Sequence, residues 1–204
     1  MELQDKKTVT IVNGTGSQFR WVAITALLLA IGSILRIVSP SIAGITPNWT
    51  IAMYCLAIIL VKPSLSKAAG IGLVAGAIGL ITSKSIFPYG NLVSEIVGTV
   101  VCAALIRIRS ELKVGNINIM PAVCGLISTL ASGFTFVTVA KLALGIPLKV
   151  YLYGMLPVVG TVAAVNTVVT QLLYFPAYRI FANEDGQKKG TLPFLNKGDE
   201  NESH

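Results

Sequence analysis

A short stretch from Ser83 to Glu95 interrupts an apolar chain with side chains that could bind a polar small molecule. It contains a lysine, several hydroxyls, two aromatic rings, an amide and a carboxylate, in the order Ser83-Lys84-Ser85-Ile86-Phe87-Pro88-Tyr89-Gly90-Asn91-Leu92-Val93-Ser94-Glu95. Long runs of Leu, Ile, Val, Ala and Gly flank it on both sides. A few polar groups among apolar ones are typical of ligand sites. This stretch is therefore the first candidate for a binding site.

Glu95 is the strongest single candidate within the stretch. The other acidic residues lie near the chain ends or, in the case of Glu111, in a polar connection, so Glu95 alone falls at the membrane. An ionised side chain at membrane depth costs about 2.5–3.5 kcal/mol on insertion scales, which marks it as functional. The alternative is a structural role, in which a helix dipole or an ion pair with Lys84 stabilises the carboxylate.

Amides, cations and aromatic rings nearby could share the ligand. Asn48, Asn91 and Asn166 lie beside or within apolar runs, where each could contact a ligand or bond a neighbouring helix. Lys84 and Arg36 could bind a carboxylate or extend to lipid headgroups.

Three aromatic residues, Trp49, Phe87 and Tyr89, could stack on a flat apolar ligand. Tryptophan and tyrosine also occur at membrane interfaces without any ligand, so both interpretations stay open.

Composition places these residues in an integral membrane protein. Hydrophobic residues make up 53% of the chain, charged residues 12%, and the mean hydropathy is +0.74. A soluble domain carries roughly 25% charged residues. The apolar runs are continuous rather than alternating, which predicts helices and not a β-barrel. The length of 204 residues suits one domain of about six spanning helices.

We predict an all-α membrane protein with six transmembrane helices. A polar N-terminal segment covers residues 1–17, the transmembrane domain 18–182, and a disordered polar tail 183–204. The helices are expected at Phe19–Val38, Trp49–Val61, Lys67–Thr82, from the polar stretch to Ile108, at Ile117–Leu144, and from Lys149 to Phe181 with a bend at Pro157.

The basic residues predict that the N- and C-termini are both cytoplasmic. Six spans put both termini on one side, and lysine and arginine are enriched in cytoplasmic connections. That side carries all but four of the 16 lysines and arginines, the exceptions being Arg36, Lys84, Lys141 and Lys149. The stretch Ser83–Glu95 then faces outward. The net charge of +7 reflects this distribution rather than a nucleic-acid-binding surface.

The sequence lacks the usual groups of an enzyme. It has no Gly-x4-Gly-Lys-Ser/Thr motif for ATP hydrolysis, and its single histidine is His204. Cys55, Cys102 and Cys124 lie inside apolar runs without paired spacing, which indicates buried small residues rather than metal ligands. We expect no enzymatic activity, no cofactor and no metal.

Small residues line one face of the first helix. Ala23, Ala26, Ala30 and Ser33 are spaced three or four apart, which leaves a groove where another helix can approach closely. That helix could belong to this chain or to a partner subunit.

Short motifs follow one another along about residues 20–180. They are Ala26-Leu27-Leu28-Leu29-Ala30-Ile31-Gly32, Gly44-Ile45-Thr46-Pro47, Gly70-Ile71 through Gly76, Phe87-Pro88-Tyr89-Gly90-Asn91, Ser132-Gly133, Gly145-Ile146-Pro147, Leu156-Pro157 and Val165-Asn166-Thr167. In their shared order and spacing, they resemble the substrate-binding S component of an energy-coupling factor (ECF) transporter, and most closely the TrpP family of tryptophan transporters.

The resemblance implies a six-helix bundle in the cell membrane of a prokaryote, which captures its ligand from outside. A membrane coupling (T) subunit and two cytoplasmic ATPases would then power uptake. The face of helix 1 formed by Ala23, Ala26 and Ala30 would dock to the coupling subunit. The ligand would lie beneath the outward loops, next to helices 4–6.

For L-tryptophan, the indole would pack on the aromatic rings and the ammonium would bind Glu95. The carboxylate would accept hydrogen bonds from Asn91, Lys84 or a helix N-terminus. The alternatives are an S component for a vitamin or another small aromatic metabolite, and a non-transporting membrane scaffold. The predicted substrate contacts are Asn48, Trp49, Lys84, Phe87, Tyr89, Asn91, Glu95 and Asn166.

Overall fold

The computed structural model describes residues 15–39, 48–85, 87–115 and 117–190, with side chains between residues 19 and 181 of those ranges. The elements are helices α1 (Thr15–Val38), α2 (Trp49–Val61), α3 (Leu65–Thr82) and α4 (Gly90–Ile108), strands β1 (Lys113–Val114) and β2 (Ile117–Asn118), and helices α5 (Met120–Leu144), α6 (Leu148–Val150) and α7 (Leu156–Gly190). A π-helical turn, Tyr151–Met155, joins α6 to α7.

The predicted all-α membrane protein is confirmed. Within the described ranges, five helical stretches are long and apolar enough to cross a membrane: Phe19–Val38, Leu65–Thr82, Gly90–Ile108, Met120–Leu144 and Leu148–Phe181. The sixth helix, α2, has 13 residues and is therefore about 20 Å long. Because the hydrocarbon layer is about 30 Å thick, α2 covers only part of it.

Helix α2 forms the centre of the bundle. It packs against α1, α4, α5 and α7, and every residue from Thr50 to Ile59 is buried. A helix that is apolar on all sides is stable only when other helices surround it. The other helices therefore take their positions around α2.

Glycines bring α3 and α4 into close contact. Gly72, Gly76 and Gly79 lie on the buried face of α3. A Cβ atom added at Gly72 would lie 2.6 Å from the Cα of Ile96, and one at Gly76 would lie 2.8 Å from the Cα of Leu92. Small residues permit this backbone approach in membrane helices. The contact fixes the first turns of α4 against α3.

The connection between α4 and α5 differs from the prediction. A two-stranded antiparallel hairpin pairs Lys113 with Asn118, and α5 begins at Met120 instead of Ile117. The Asn118 side chain accepts hydrogen bonds of 3.1 Å from the backbone N–H groups of Leu112 and Met120. This amide ends the hairpin and starts the helix, a local interaction that hydropathy does not reveal.

An exposed ion pair lies at the start of this hairpin. Lys113 Nζ lies 3.0 Å from a Glu111 carboxylate oxygen, and its hydrogen bond lowers the pKa of the Glu111 carboxyl. Because both side chains are exposed, the pair contributes little to stability.

The last helix is also longer than predicted. We expected a bend at Pro157 and an end near Phe181, whereas the π-helical turn lies just before Pro157 and α7 continues to Gly190. Residues 183–190, predicted as part of a disordered tail, are therefore helical. Residues 1–14 and 191–204, which include the remainder of both predicted polar ends, lie outside the described residues.

The glycine contact yields a test of the bundle. Gly72→Ala should destabilise the protein by about 1–3 kcal/mol, because the added methyl group would meet the α4 backbone. The matched control is Gly70→Ala on the same helix, where nothing lies within 4 Å of the added Cβ. Thermal unfolding in detergent should show a lower Tm for Gly72→Ala only. Equal Tm values for both variants would contradict the proposed packing.

Candidate functional site

A cavity of about 410 Å³ opens at the end of the bundle that is opposite the hairpin. Its volume lies within the usual range for small-molecule sites, about 300–1,000 Å³. The end of α1, the start of α2 and α4, the middle of α5 and the start of α7 form its wall. The lining residues are Arg36, Asn48, Ile51, Ser83, Ser85, Asn91, Ser94, Glu95, Thr129, Ser132, Gly133, Phe136, Val137, Gly154, Met155, Val158, Val159 and Val162.

The wall is mostly apolar. Ile51 contributes from α2, Phe136 and Val137 from α5, and Met155 and a group of valines from the π-helical turn and α7. A second cavity, of about 490 Å³ at the hairpin end, has a more polar wall that includes Arg20, Lys62 and Glu111. The first cavity therefore combines a large apolar surface with few polar groups, which is the usual form of a site for a small ligand.

Glu95 supplies a buried carboxylate to this cavity. It lies in the second turn of α4, and its side chain is only 1% exposed. Asn48 Nδ2 donates a hydrogen bond of 3.3 Å to Glu95 Oε1. The hydroxyls of Tyr54 and Ser132 also lie near the carboxylate, but Oε2 accepts no hydrogen bond of normal length and angle from the described residues. A buried acceptor without a donor is destabilising by about 1–3 kcal/mol, and more when it is charged. The free oxygen therefore fits a ligand that brings a donor.

Arg36 lines the cavity from the last turn of α1. Its Nη1 atom is buried and has no hydrogen-bond partner in the described part of the chain. The guanidinium and the Glu95 carboxylate attract each other electrostatically. From sequence, this arginine could equally have reached lipid headgroups, and the structure directs it into the protein.

A network of amides holds the start of α2 in place. The fully buried Asn166 on α7 donates hydrogen bonds to Thr129 Oγ1 at 3.1 Å and to the backbone carbonyl of Asn48 at 3.4 Å. The bond from Asn48 to Glu95 continues this chain across to α4. Asn166 thus joins α5 and α7 to the residue that contacts the carboxylate, although it does not itself line the cavity.

Asn91 has a different set of contacts. Its Nδ2 atom donates a 2.8 Å hydrogen bond to the Pro88 carbonyl, which stabilises the turn before α4. The side chain is buried and lines the cavity. Asn91 therefore stabilises the turn that leads into α4 and also contributes to the cavity wall.

The predicted aromatic residues lie outside the cavity wall. Tyr89 is 68% exposed, and Phe87 packs beside it with ring centroids 6.1 Å apart. Trp49 is half-buried, and its indole N–H has no hydrogen-bond partner among the residues described. Lys84 is exposed and also lies outside the wall. The ligand contacts assigned to these four residues remain predictions.

The sequence did not predict Phe136, an aromatic residue that lines the cavity. Phe136 on α5 and Phe87 both lie close to Gly90. A Cβ atom added at Gly90 would lie 3.0 Å from the Phe136 ring and 3.3 Å from the Phe87 ring. Ser132, one turn before Phe136, faces the same cavity. The spacing of four residues between a hydroxyl and a ring was the available signal, and it is weak because α5 carries several other hydroxyl groups.

The small-residue face of α1 is not covered by the other helices that the structure describes. Ala23, Ala26 and Ala30 are exposed, whereas Ile24 and Leu28 on the opposite face are buried. Helix α1 therefore packs against α2 with one face, and the alanines face away from the described helices.

The sequence is similar to those of known transport proteins. The model of the family described as "Tryptophan transporter TrpP" matches residues 18–181. A "probable tryptophan transport protein" of Clostridium perfringens is 32% identical over 165 residues, covering 75% of this chain and 88% of that protein. A protein of the same description from Bacillus subtilis is 30% identical over 161 residues, with 75% and 87% covered. No solved structure matches the chain significantly.

Proposed function

The chain belongs to the tryptophan transporter TrpP family, and we propose that it is the membrane subunit that binds L-tryptophan for uptake into the cell. It is a multi-pass protein of the bacterial cell membrane. The cavity near Glu95 is the proposed substrate site. The observation that carries this proposal is the buried, partly unpartnered carboxylate in an otherwise apolar cavity.

The chemistry of the cavity suits both ends of the substrate. The ammonium of tryptophan has three N–H donors, and Glu95 Oε2 together with Asn48 Oδ1 offers two buried acceptors without partners in the described chain. Indole is large, flat and apolar, which suits the ring of Phe136 and the valines of α7. Binding and release complete the proposed activity, and no bond in the substrate is made or broken.

We further propose ECF-type coupling, in which a membrane T subunit and two cytoplasmic ATPases drive uptake. Two observations support it. The sequence has no Walker A motif, so the energy of ATP hydrolysis would come from other subunits. The exposed alanine face of α1 offers a close-packing surface for a helix of the T subunit.

The distribution of charge supports an orientation with cytoplasmic termini. Lys62, Lys67, Arg107, Arg109 and Lys113 lie at the hairpin end of the bundle, and the positive-inside tendency places such an end in the cytoplasm. The cavity, at the other end, would then open outward to capture the substrate.

The role of Glu95 predicts a loss of affinity. Glu95→Gln should weaken L-tryptophan binding more than tenfold, because the amide keeps the shape but removes the negative charge that pairs with the ammonium. The matched control is Glu111→Gln, which removes an exposed carboxylate at the opposite end. Isothermal titration calorimetry of the purified variants measures both. Unchanged affinity in Glu95→Gln would remove this residue from the site.

The cavity wall predicts a second loss. Phe136→Ala should weaken L-tryptophan binding roughly tenfold or more, because the ring that would pack against indole is lost. Phe134→Ala is the control on the same helix, since Phe134 is exposed and does not line the cavity. Calorimetry should show weaker L-tryptophan binding for Phe136→Ala than for Phe134→Ala. Equal affinities would place the indole elsewhere.

The docking proposal predicts that transport and binding can be separated. Ala26→Trp should abolish tryptophan uptake in cells while purified protein still binds L-tryptophan, because the bulky ring blocks the close approach of a partner helix. Ala164→Trp, on an exposed position of α7, is the control. If uptake survives in Ala26→Trp, α1 is not the docking helix. If binding is lost too, the alanine face serves the bundle itself.

A further inference from the structure

We infer that Arg36 binds the carboxylate of the substrate, so that the cavity selects zwitterionic amino acids and excludes indoles lacking either charge. This rests on the proposed function and assigns to Arg36 a specificity-determining role at the same site. Arg36 and Glu95 are the charged residues among those that line the cavity. They approach from different helices, Arg36 from the end of α1 and Glu95 from the start of α4.

The two charges attract each other but leave a gap. The Arg36 guanidinium and the Glu95 carboxylate interact electrostatically, yet they form no ion pair within 4.0 Å in the described structure. Each also keeps a buried atom without a hydrogen-bond partner in the same part of the chain, Nη1 of Arg36 and Oε2 of Glu95. An arginine and a glutamate that served only each other would close this gap and satisfy both atoms.

An α-amino acid carries both of the complementary charges. Its ammonium and carboxylate are attached to one carbon atom, so both can enter a gap between a carboxylate and a guanidinium. The ammonium would face Glu95, and the carboxylate would face Arg36. The side chain of the amino acid would then point toward the apolar wall formed by α5 and α7.

The geometry favours Arg36 over Lys84 as the carboxylate partner. Lys84 is exposed and does not line the cavity, whereas Arg36 is half-buried in its wall. A guanidinium also presents a planar fork of donors that matches the two oxygens of a carboxylate, while an ammonium acts as a point charge.

Burial makes this pair selective. Tryptamine has no carboxylate and would leave Arg36 uncompensated, and indole-3-propionate has no ammonium and would leave Glu95 uncompensated. An unpaired charge in a desolvated site is strongly unfavourable, and removal of one partner of such a pair commonly weakens binding by a factor of 30 or more. Both analogues should therefore bind poorly although each carries the full indole ring.

Calorimetry on the unmodified protein gives the first test. L-tryptophan should bind at least roughly 30-fold more tightly than tryptamine and than indole-3-propionate. Tryptamine binding within about threefold of L-tryptophan would overturn the role of Arg36 and leave the proposed function standing. Absence of L-tryptophan binding would overturn the proposed function and this inference together. This comparison needs no variant, so it stands even if substitution of Arg36 prevents folding.

Substitution of Arg36 gives the second test. Arg36→Gln should weaken L-tryptophan binding roughly 30-fold or more and leave tryptamine binding unchanged within about threefold, so that the preference for the carboxylate disappears. Arg36→Lys should have an affinity for L-tryptophan between those of Arg36→Gln and the unmodified protein, because lysine keeps the positive charge but lacks the planar fork of donors. Lys149→Gln, which removes an exposed cation outside the cavity wall, should keep the preference. Equal losses for tryptophan and tryptamine in Arg36→Gln would show a structural role instead.

Discussion

The burial of the Glu95 carboxylate within a membrane helix bundle is the constraint on which the rest of this structure depends. A charged group at this depth is stable only with donors around it. Asn48 supplies one of them, and Asn166 and Thr129 fix the position of Asn48 from two further helices. In the proposed site, the remaining oxygen would accept a hydrogen bond from the ammonium of the substrate. The energetic cost of burying the carboxylate would then be offset when the substrate binds.

Close helix packing places this carboxylate. The glycines of α3 let α4 approach so closely that a Cβ at Gly72 would lie 2.7 Å from the Glu95 backbone carbonyl. The central position of α2 brings Asn48, at its start, to the same point. Helix α1 carries Arg36 at its end and the exposed alanines along its length. The helix proposed to dock to the transport machinery therefore also contributes to the proposed substrate site.

The sequence predicts the membrane helices and singles out Glu95 because both depend on composition. An apolar run of about 20 residues predicts a span in any context, and a lone carboxylate among such runs is conspicuous. The inward faces could not be predicted, since helices that are mostly apolar give little periodic signal. Phe136 was missed for this reason. Arg36 lines the cavity, whereas Lys84 and Tyr89 lie outside its wall. These positions depend on tertiary packing, which no local sequence pattern encodes.

The central claim is that this cavity binds L-tryptophan. The most direct test is calorimetric titration of the purified protein with L-tryptophan, L-phenylalanine, L-tyrosine and thiamine. The proposed site predicts saturable binding of one L-tryptophan per chain at micromolar concentrations or below, with clear preference over the other three. Failure of L-tryptophan to bind, or equal binding of thiamine, would contradict it.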